Sequence, residues 1–108
     1  MPTLEDNTRT RAAAIEAARN AIRDAPGNLN EAAVEAAARH IVDHLYQLRQ
    51  RRGLAAVRAL TNSAKVSAFR SKEVERAPGK PSAPLGHHVF FRAVFAARTV
   101  IVEAHERQ

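Results

Sequence analysis

The sequence predicts an all-α protein, a small bundle of four to five helices in which residues 1–108 form a single domain. Three observations support this prediction. Apolar residues recur at spacings of three and four along three long segments, which places them on one face of a helix. Much of the 45% apolar content is alanine, the residue with the highest helix propensity. Glycine, proline and asparagine separate these segments, and such residues end helices.

The first predicted helix begins at a threonine cap, either Thr8 or Thr10, and runs to about Ala25. Its inward stripe follows helical spacing at Ile15, Ala18, Ile22 and Ala25. The segment Pro26-Gly27-Asn28 ends it, because proline cannot continue a helix and the other two residue types tolerate left-handed backbone.

The second predicted helix, from Glu31 to about Arg52, has the strongest pattern in the chain. Asn30 suits its N-cap, and Gly53 suits its C-terminal end. Acidic residues near the start and arginines near the end both favour the helix dipole. The inward stripe is Val34, Ala37, Ile41, Leu45 and Leu48.

Shorter elements follow in the basic middle of the chain. A third helix is expected over Leu54–Leu60 and a fourth over about Ala64–Arg76, with a turn at Thr61-Asn62-Ser63 between them. Residues 77–86 contain three prolines and two glycines, so they are predicted to form an internal loop.

The last segment, Val89–Glu106, is predicted to be a helix. Its apolar stripe is unbroken at Phe90, Val94, Ala97, Ile101 and Ala104. The alternative is an α+β fold with a C-terminal β-hairpin, because Thr99–Val102 is β-branched throughout. That hairpin would pair residues 88–95 with 99–105. With two helices and a basic loop before it, such a chain loosely resembles the small ribonuclease toxins of bacterial toxin–antitoxin pairs, through residues 88–92 and 99–102.

Positive charge is concentrated in the middle of the chain. Between His44 and Leu85 there are nine basic and two acidic residues, so this block carries +7, although the whole chain carries only +6. Concentrated charge of one sign raises the affinity for polyanions. Arginine outnumbers lysine fourteen to three in the chain, and its planar fork can bind phosphate through two hydrogen bonds. GC-rich coding is an alternative source of the same arginine excess.

The leading functional prediction is therefore a basic helical protein that binds nucleic acid, DNA or RNA, mainly through phosphate contacts. Residues 54–72 match the pattern of a helix-turn-helix, in which Ala56 would lie where the helices cross and Val66 and Phe69 would face inward. Two ordinary short helices joined by a polar turn are the alternative. The candidate nucleic-acid-binding residues are Arg49, Arg51, Arg52, Arg58, Lys65, Arg70 and Lys72.

The alternative function is a helical protein–protein interaction module, such as an adaptor, an inhibitor or an oligomerising subunit. Phe90, Phe91 and Phe95 are the candidate partner-binding residues, since Phe91 and Phe95 lie one turn apart and off the main apolar stripe. They would contact a protein partner or a second copy of the chain. A wide stripe that buries all three in the core is the competing interpretation.

Several function classes lack support in the sequence. The chain has no cysteine, which excludes disulfides and thiolate chemistry and fits a reducing, cytoplasmic location.

His40 and His44 have chelating spacing but no evident third ligand, so no metal and no cofactor are expected. We expect His44 to pack beside Leu48 and His40 to face solvent. No secretory signal or membrane span is visible in the sequence. No nucleophile–base set is visible either, so no enzymatic activity is predicted, although activity as a small ribonuclease is left open.

Overall fold

The computed structural model describes residues 4–27, 29–76 and 79–107, with side chains from Asn7 onward. The fold is all-α, as predicted. The helices are α1 (Leu4–Arg23), α2 (Glu31–Arg52), α3 (Leu54–Arg58), α4 (Ser63–Phe69), a π-helical turn (Arg70–Val74) and α5 (His87–Glu106). No strand occurs in the described ranges, and residues 88–105 lie within one continuous helix. The hairpin alternative is therefore wrong, and the resemblance to ribonuclease toxins ends with it.

Helix α2 has the bounds predicted from its caps. The Asn30 side chain accepts a hydrogen bond from the Ala33 amide at 2.8 Å. At the other end Gly53 has a φ of 88°, and its amide donates to the Arg49 carbonyl at 2.7 Å. Only glycine adopts that backbone readily, so the chain turns sharply here and starts α3 at the next residue.

The other helix ends differ from the predictions by a few residues. Helix α1 already includes Leu4, before either predicted threonine cap. The predicted fourth helix continues past α4 as a π turn, in which the Glu75 amide donates to the Arg70 carbonyl five residues back. Of the predicted turn at residues 26–28, Asn28 lies outside the described residues.

The buried side chains form one continuous core, in which α1 and α5 pack along each other over most of their lengths. Small residues allow this close approach: Ala14 and Ala18 on α1 and Ala93 and Ala97 on α5 are fully buried. Helix α2 packs against α1, while α3 is held between α2 and α5. The largest fully buried side chain is Phe90.

Of the predicted loop over residues 77–86, the first two lie outside the described residues, and 79–86 form irregular turns. Gly79 and Lys80 both have positive φ, 80° and 39°. Leu85 and Ser82 are buried, which anchors the loop to the bundle. Among the described helices, none combines the length and the apolar character needed to cross a membrane.

Candidate nucleic-acid interface

Three of the predicted phosphate-binding residues line one groove. Arg52 is the last residue of α2, Lys65 lies in α4, and Lys72 lies in the π turn. The groove has a volume of about 280 Å³. All three side chains are exposed, and within the described chain none forms an ion pair with a carboxylate. We call this site the basic groove; its other lining residues are Leu48, Ala56, Ala59, Leu60, Ala68, Phe69 and Glu73.

Local structure explains how the three cations converge. Gly53 ends α2 directly after Arg52. The Asn62 side chain caps α4 by accepting from the Lys65 amide at 3.0 Å, which fixes the start of that helix. Lys65 and Lys72 are seven residues apart, two helical turns, and so they share a face. The buried side chains of Val66 and Phe69 fix that face outward.

The one acidic residue at the groove is already paired. Glu73 accepts a hydrogen bond from the Arg51 guanidinium, and its side chain is only 18% exposed. This pair removes Arg51 from the free cations, but it also neutralises the carboxylate that would otherwise oppose Lys72. The groove therefore keeps a net positive charge.

Two further predicted residues lie away from the groove. The Arg49 guanidinium carbon is 5.6 Å from the centre of the Tyr46 ring, and that of Arg11 is 4.4 Å from it. Burial raises the pKa of Tyr46. Arg58 is exposed, with a guanidinium nitrogen 3.6 Å from the Glu106 carboxylate. These two arginines extend the basic surface without joining the groove.

Arg70 has a structural position instead. Its side chain, 13% exposed, donates hydrogen bonds to the carbonyls of Ser82 at 3.0 Å and Leu85 at 2.8 Å. The Arg70 Nε lies 3.0 Å from the Glu75 carboxylate and forms an ion pair with it. The angle at Nε does not meet that of a hydrogen bond. The guanidinium also stacks 4.5 Å above the Phe90 ring. Arg70 thus fastens the 79–86 loop and does not contribute to the exposed surface.

The predicted helix-turn-helix is wrong as a unit of structure. Both α3 and α4 are fully described, and no Cα atom of one lies within 8 Å of a Cα atom of the other. Helix α3 packs on α2 and α5 instead, and it has only five residues. A DNA-reading helix-turn-helix needs its two helices to cross closely, so the alternative of two ordinary short helices is correct.

The three phenylalanines of α5 occupy different environments. Phe90 is fully buried, so its predicted role as a partner-binding residue is corrected to a core role. Phe91 is half-buried and Phe95 is 40% exposed. Their rings stack with centres 6.1 Å apart and planes inclined by 17°.

The two histidines of α2 contact each other, and His40 also contacts the π turn. The His40 and His44 rings meet edge to face, 4.6 Å apart. His40 is half-buried, not in solvent as predicted, and its Nε2 lies 3.0 Å from the Val74 carbonyl, to which it donates. Burial, followed by the charge of His40, lowers the pKa of His44. Among the described residues no cluster of three metal-ligating side chains exists.

One contact was not predicted from the sequence. Ser63 Oγ lies 2.7 Å from His87 Nε2, and Ser67 Oγ lies 3.3 Å from the same nitrogen. The two serines lie 24 and 20 residues before His87, so no local motif signals the contact. Within the described chain no carboxylate binds His87, which leaves the imidazole without the orienting acid that a nucleophilic triad requires.

A second region, which we call the acid-paired face, joins α1 to α2. Arg19 donates to both oxygens of Glu35 at 2.5 and 3.0 Å, and Arg39 donates to the same carboxylate at 2.7 Å. The hydrogen bond from Arg19 holds the pKa of Glu35 below its usual value. The other pairs of this face are Arg23 with Glu31 and Arg11 with Asp43.

Comparison of the chain with protein-family models, with curated protein sequences and with solved structures finds no match.

Proposed function

We propose that this protein binds nucleic acid through phosphate contacts made at the basic groove. One observation carries the proposal. Arg52, Lys65 and Lys72 come from three different elements, lie around one groove, and pair with no carboxylate in the described chain. Exposed like charges placed close together repel one another, so a site that gathers them is stabilised when a polyanion binds.

The chemistry of the three side chains suits phosphate rather than base edges. The Arg52 guanidinium can donate two parallel hydrogen bonds to one phosphate, while the two lysines act as mobile point charges. The apolar floor of the groove offers few hydrogen-bonding groups for reading bases. We therefore expect little sequence preference and a strong dependence on salt.

The proposal includes a cytoplasmic location, which fits the cysteine-free composition. It includes no catalytic step and no cofactor. DNA and RNA both present the required phosphates, and the experiment below compares them directly.

The test is a fluorescence-anisotropy titration of labelled duplex DNA, single-stranded DNA and RNA across a range of salt concentrations. The variant replaces Arg52, Lys65 and Lys72 with glutamine. Loss of three phosphate contacts should reduce the slope of log K against log salt by about 2 to 3. The matched control replaces three exposed cations outside the groove, Arg76, Lys80 and Arg107, with glutamine.

The control variant has the same net charge as the groove variant, so a difference between them reports position rather than total charge. Equal losses of affinity in the two variants would contradict the groove as the binding site. Absence of binding by the unmodified protein at low salt would contradict nucleic-acid binding altogether.

The second candidate is a helical protein–protein interaction module that uses α5. The exposed Phe95, stacked on the half-buried Phe91, favours it. The partner would be another protein or a second copy of the chain. A molar mass that rises with concentration, in a protein without nucleic-acid affinity, would support this candidate over the first.

A further inference from the structure

We propose that Phe95 is a base-stacking platform and that the nucleic acid bound by this protein is single-stranded. This inference rests on the function proposed above and identifies its substrate class. Phe95 is the only exposed large hydrophobic residue in the part of the chain that the structure describes. It lies at the centre of the outward face of α5, flanked along the helix by Arg92 and Thr99.

The ring of Phe95 is held in a defined orientation. Phe91, one turn earlier and half-buried, stacks nearly parallel to it at 6.1 Å. On the following turn, the Arg98 guanidinium carbon lies 5.3 Å from the Phe95 ring centre. These contacts restrain the ring but leave Phe95 40% exposed, so a base can stack on the exposed part at little cost in side-chain entropy.

Arg98 is itself fixed in place. Its Nη2 donates to the Arg58 carbonyl at 2.8 Å, and its Nε donates to the same oxygen at 3.3 Å. The exposed side chain of Arg92 lies three residues before Phe95 and pairs with no carboxylate in the described ranges. Apart from the half-buried Phe91, the exposed aromatic ring is therefore bordered by arginines.

This combination favours a nucleic acid over a protein partner. A hydrophobic docking surface would be a contiguous apolar patch, whereas here one ring stands among cations. A nucleotide presents an aromatic face and a phosphate together, which matches a phenylalanine beside arginines. Glu106, 3.6 Å from the Arg58 guanidinium, is the acidic group nearest to this cluster among the ion pairs of the described chain.

Helix α3 connects the platform to the basic groove. Ala56 and Ala59 line the groove, and the carbonyl of Arg58, between them and α5, holds Arg98. Helix α3 has five residues, about 7 Å of helix. A single strand that contacts both sites would place phosphates at the groove and a base on Phe95.

Single strands are favoured because the faces of their bases are accessible. In a duplex each base is covered by its neighbours, so Phe95 could stack only after a base pair had opened, which costs free energy. Phosphate contacts at the groove alone would not distinguish the two forms. The preference for single strands thus depends on Phe95, while overall affinity depends on the groove.

The experiment uses two variants of the full chain, Phe95→Trp and Phe95→Ala. The protein contains no tryptophan, so a tryptophan at position 95 is the only source of indole fluorescence. We expect its emission to be quenched when a single-stranded oligothymidine binds, and its affinity to match the unmodified protein within about twofold. Phe95→Ala should bind that strand at least about fivefold more weakly, with duplex affinity unchanged.

His88→Ala is the matched control, because His88 is also exposed on α5, two turns before Phe95; it should retain single-strand affinity. Circular dichroism of each variant checks that the helices are intact.

If single strands bind without quenching the tryptophan, or if Phe95→Ala weakens duplex and single-strand binding equally, the platform is overturned while the groove proposal stands. If the unmodified protein binds no nucleic acid, both fail. If it self-associates and Phe95→Ala abolishes that association without changing single-strand affinity, α5 is a protein interface and the platform is overturned.

Discussion

The acid-paired face and the basic groove are both built from cationic side chains, yet they differ in what those side chains contact. On the acid-paired face, Arg19 and Arg39 share the Glu35 carboxylate. In the basic groove, Arg52, Lys65 and Lys72 form no ion pair within the described chain, and the nearby Glu73 is occupied by Arg51. The difference shows that the number of arginines does not decide which cations are available to a ligand; the partners of those arginines do.

The two regions also use charge for different purposes. On the acid-paired face the hydrogen-bonded pairs join α1 to α2 and help to set how these helices pack. At the groove the cations contribute nothing to packing, and their mutual repulsion slightly opposes folding. Arginine thus stabilises the bundle on the acid-paired face, whereas in the basic groove it is available to a ligand.

Arg70 is the exception within the basic block, and its replacement should have the largest effect on stability. Arg70→Ala removes two hydrogen bonds to loop carbonyls and the stacking on Phe90. We expect a loss of about 2 to 4 kcal/mol in the free energy of unfolding, measured by urea denaturation. Arg52→Ala, in the groove, should change it by less than about 0.5 kcal/mol.

Arg70→Lys sharpens this prediction. Lysine keeps the charge but lacks the planar fork that reaches both carbonyls, so it should recover less than about half of the lost stability. Full recovery would mean that charge alone, through Glu75, holds the loop. Equal effects of Arg70→Ala and Arg52→Ala would contradict the distinction between structural and free cations.

Removing the acids from the acid-paired face should make that face a second surface that binds nucleic acid. The triple variant Glu31→Gln, Glu35→Gln and Asp43→Asn releases the four arginines that these carboxylates hold. We expect nucleic-acid affinity at low salt to rise about tenfold, measured by fluorescence anisotropy, because the freed guanidinium groups can contact phosphates.

The control removes three acids that form no ion pair in the described ranges, through Glu16→Gln, Asp24→Asn and Glu103→Gln. It changes the net charge by the same amount and should raise affinity by no more than about threefold. Equal gains in the two variants would show that net charge, and not pairing, controls binding.

The smallest expected effect is a pH dependence at His44, on the inner side of α2. Burial lowers the pKa of His44, the charges of His40 and Arg51 lower it further, and Asp43 and Glu73 act in the opposite direction. The unfolded chain then binds the proton more readily than the folded one. The stability contributed by the neutral imidazole is therefore present above about pH 6.5 and is lost as the pH falls through the folded-state pKa.

Thermal denaturation at pH 7.5 and at pH 5 measures this effect. The unmodified protein should lose stability at pH 5, and His44→Gln should show a smaller difference between the two pH values. The exposed His105 provides the control, since His105→Gln should behave like the unmodified protein. Glu31 and Glu35, whose pKa values are lowered, titrate below this range and do not contribute to the difference.

Local sequence signals predicted the helices well where each signal acts within a few residues. Asn30 and Gly53 bound α2 as expected, and Asn62 caps α4 in the predicted turn. The predicted threonine caps of α1 were wrong, because the helix already includes Leu4. The π turn after α4 had no sequence signal, since it reflects the packing of Val74 in the core and the anchoring of Arg70.

The candidate site was predicted less completely. Three of the seven candidate residues in the +7 block line the groove. Arg70 could not be excluded from the sequence, because its partners lie twelve and fifteen residues away in an irregular loop. Phe95 was predicted to be a partner-binding residue because it lies off the main apolar stripe. Its contact with Arg98, which is held by the Arg58 carbonyl 40 residues away, had no sequence signal.

By itself, the sequence determined the helical class, the bounds of α2, the apolar stripes and the excess of positive charge in the middle of the chain. These properties depend on periodicity, caps and composition, which act over a few residues. Only the tertiary structure decided which cations are paired and which are free, since the pairing of Arg11 with Asp43 spans 32 residues and that of Arg51 with Glu73 spans 22. Ion pairing depends on distance in space, and the packing of the helices sets that distance.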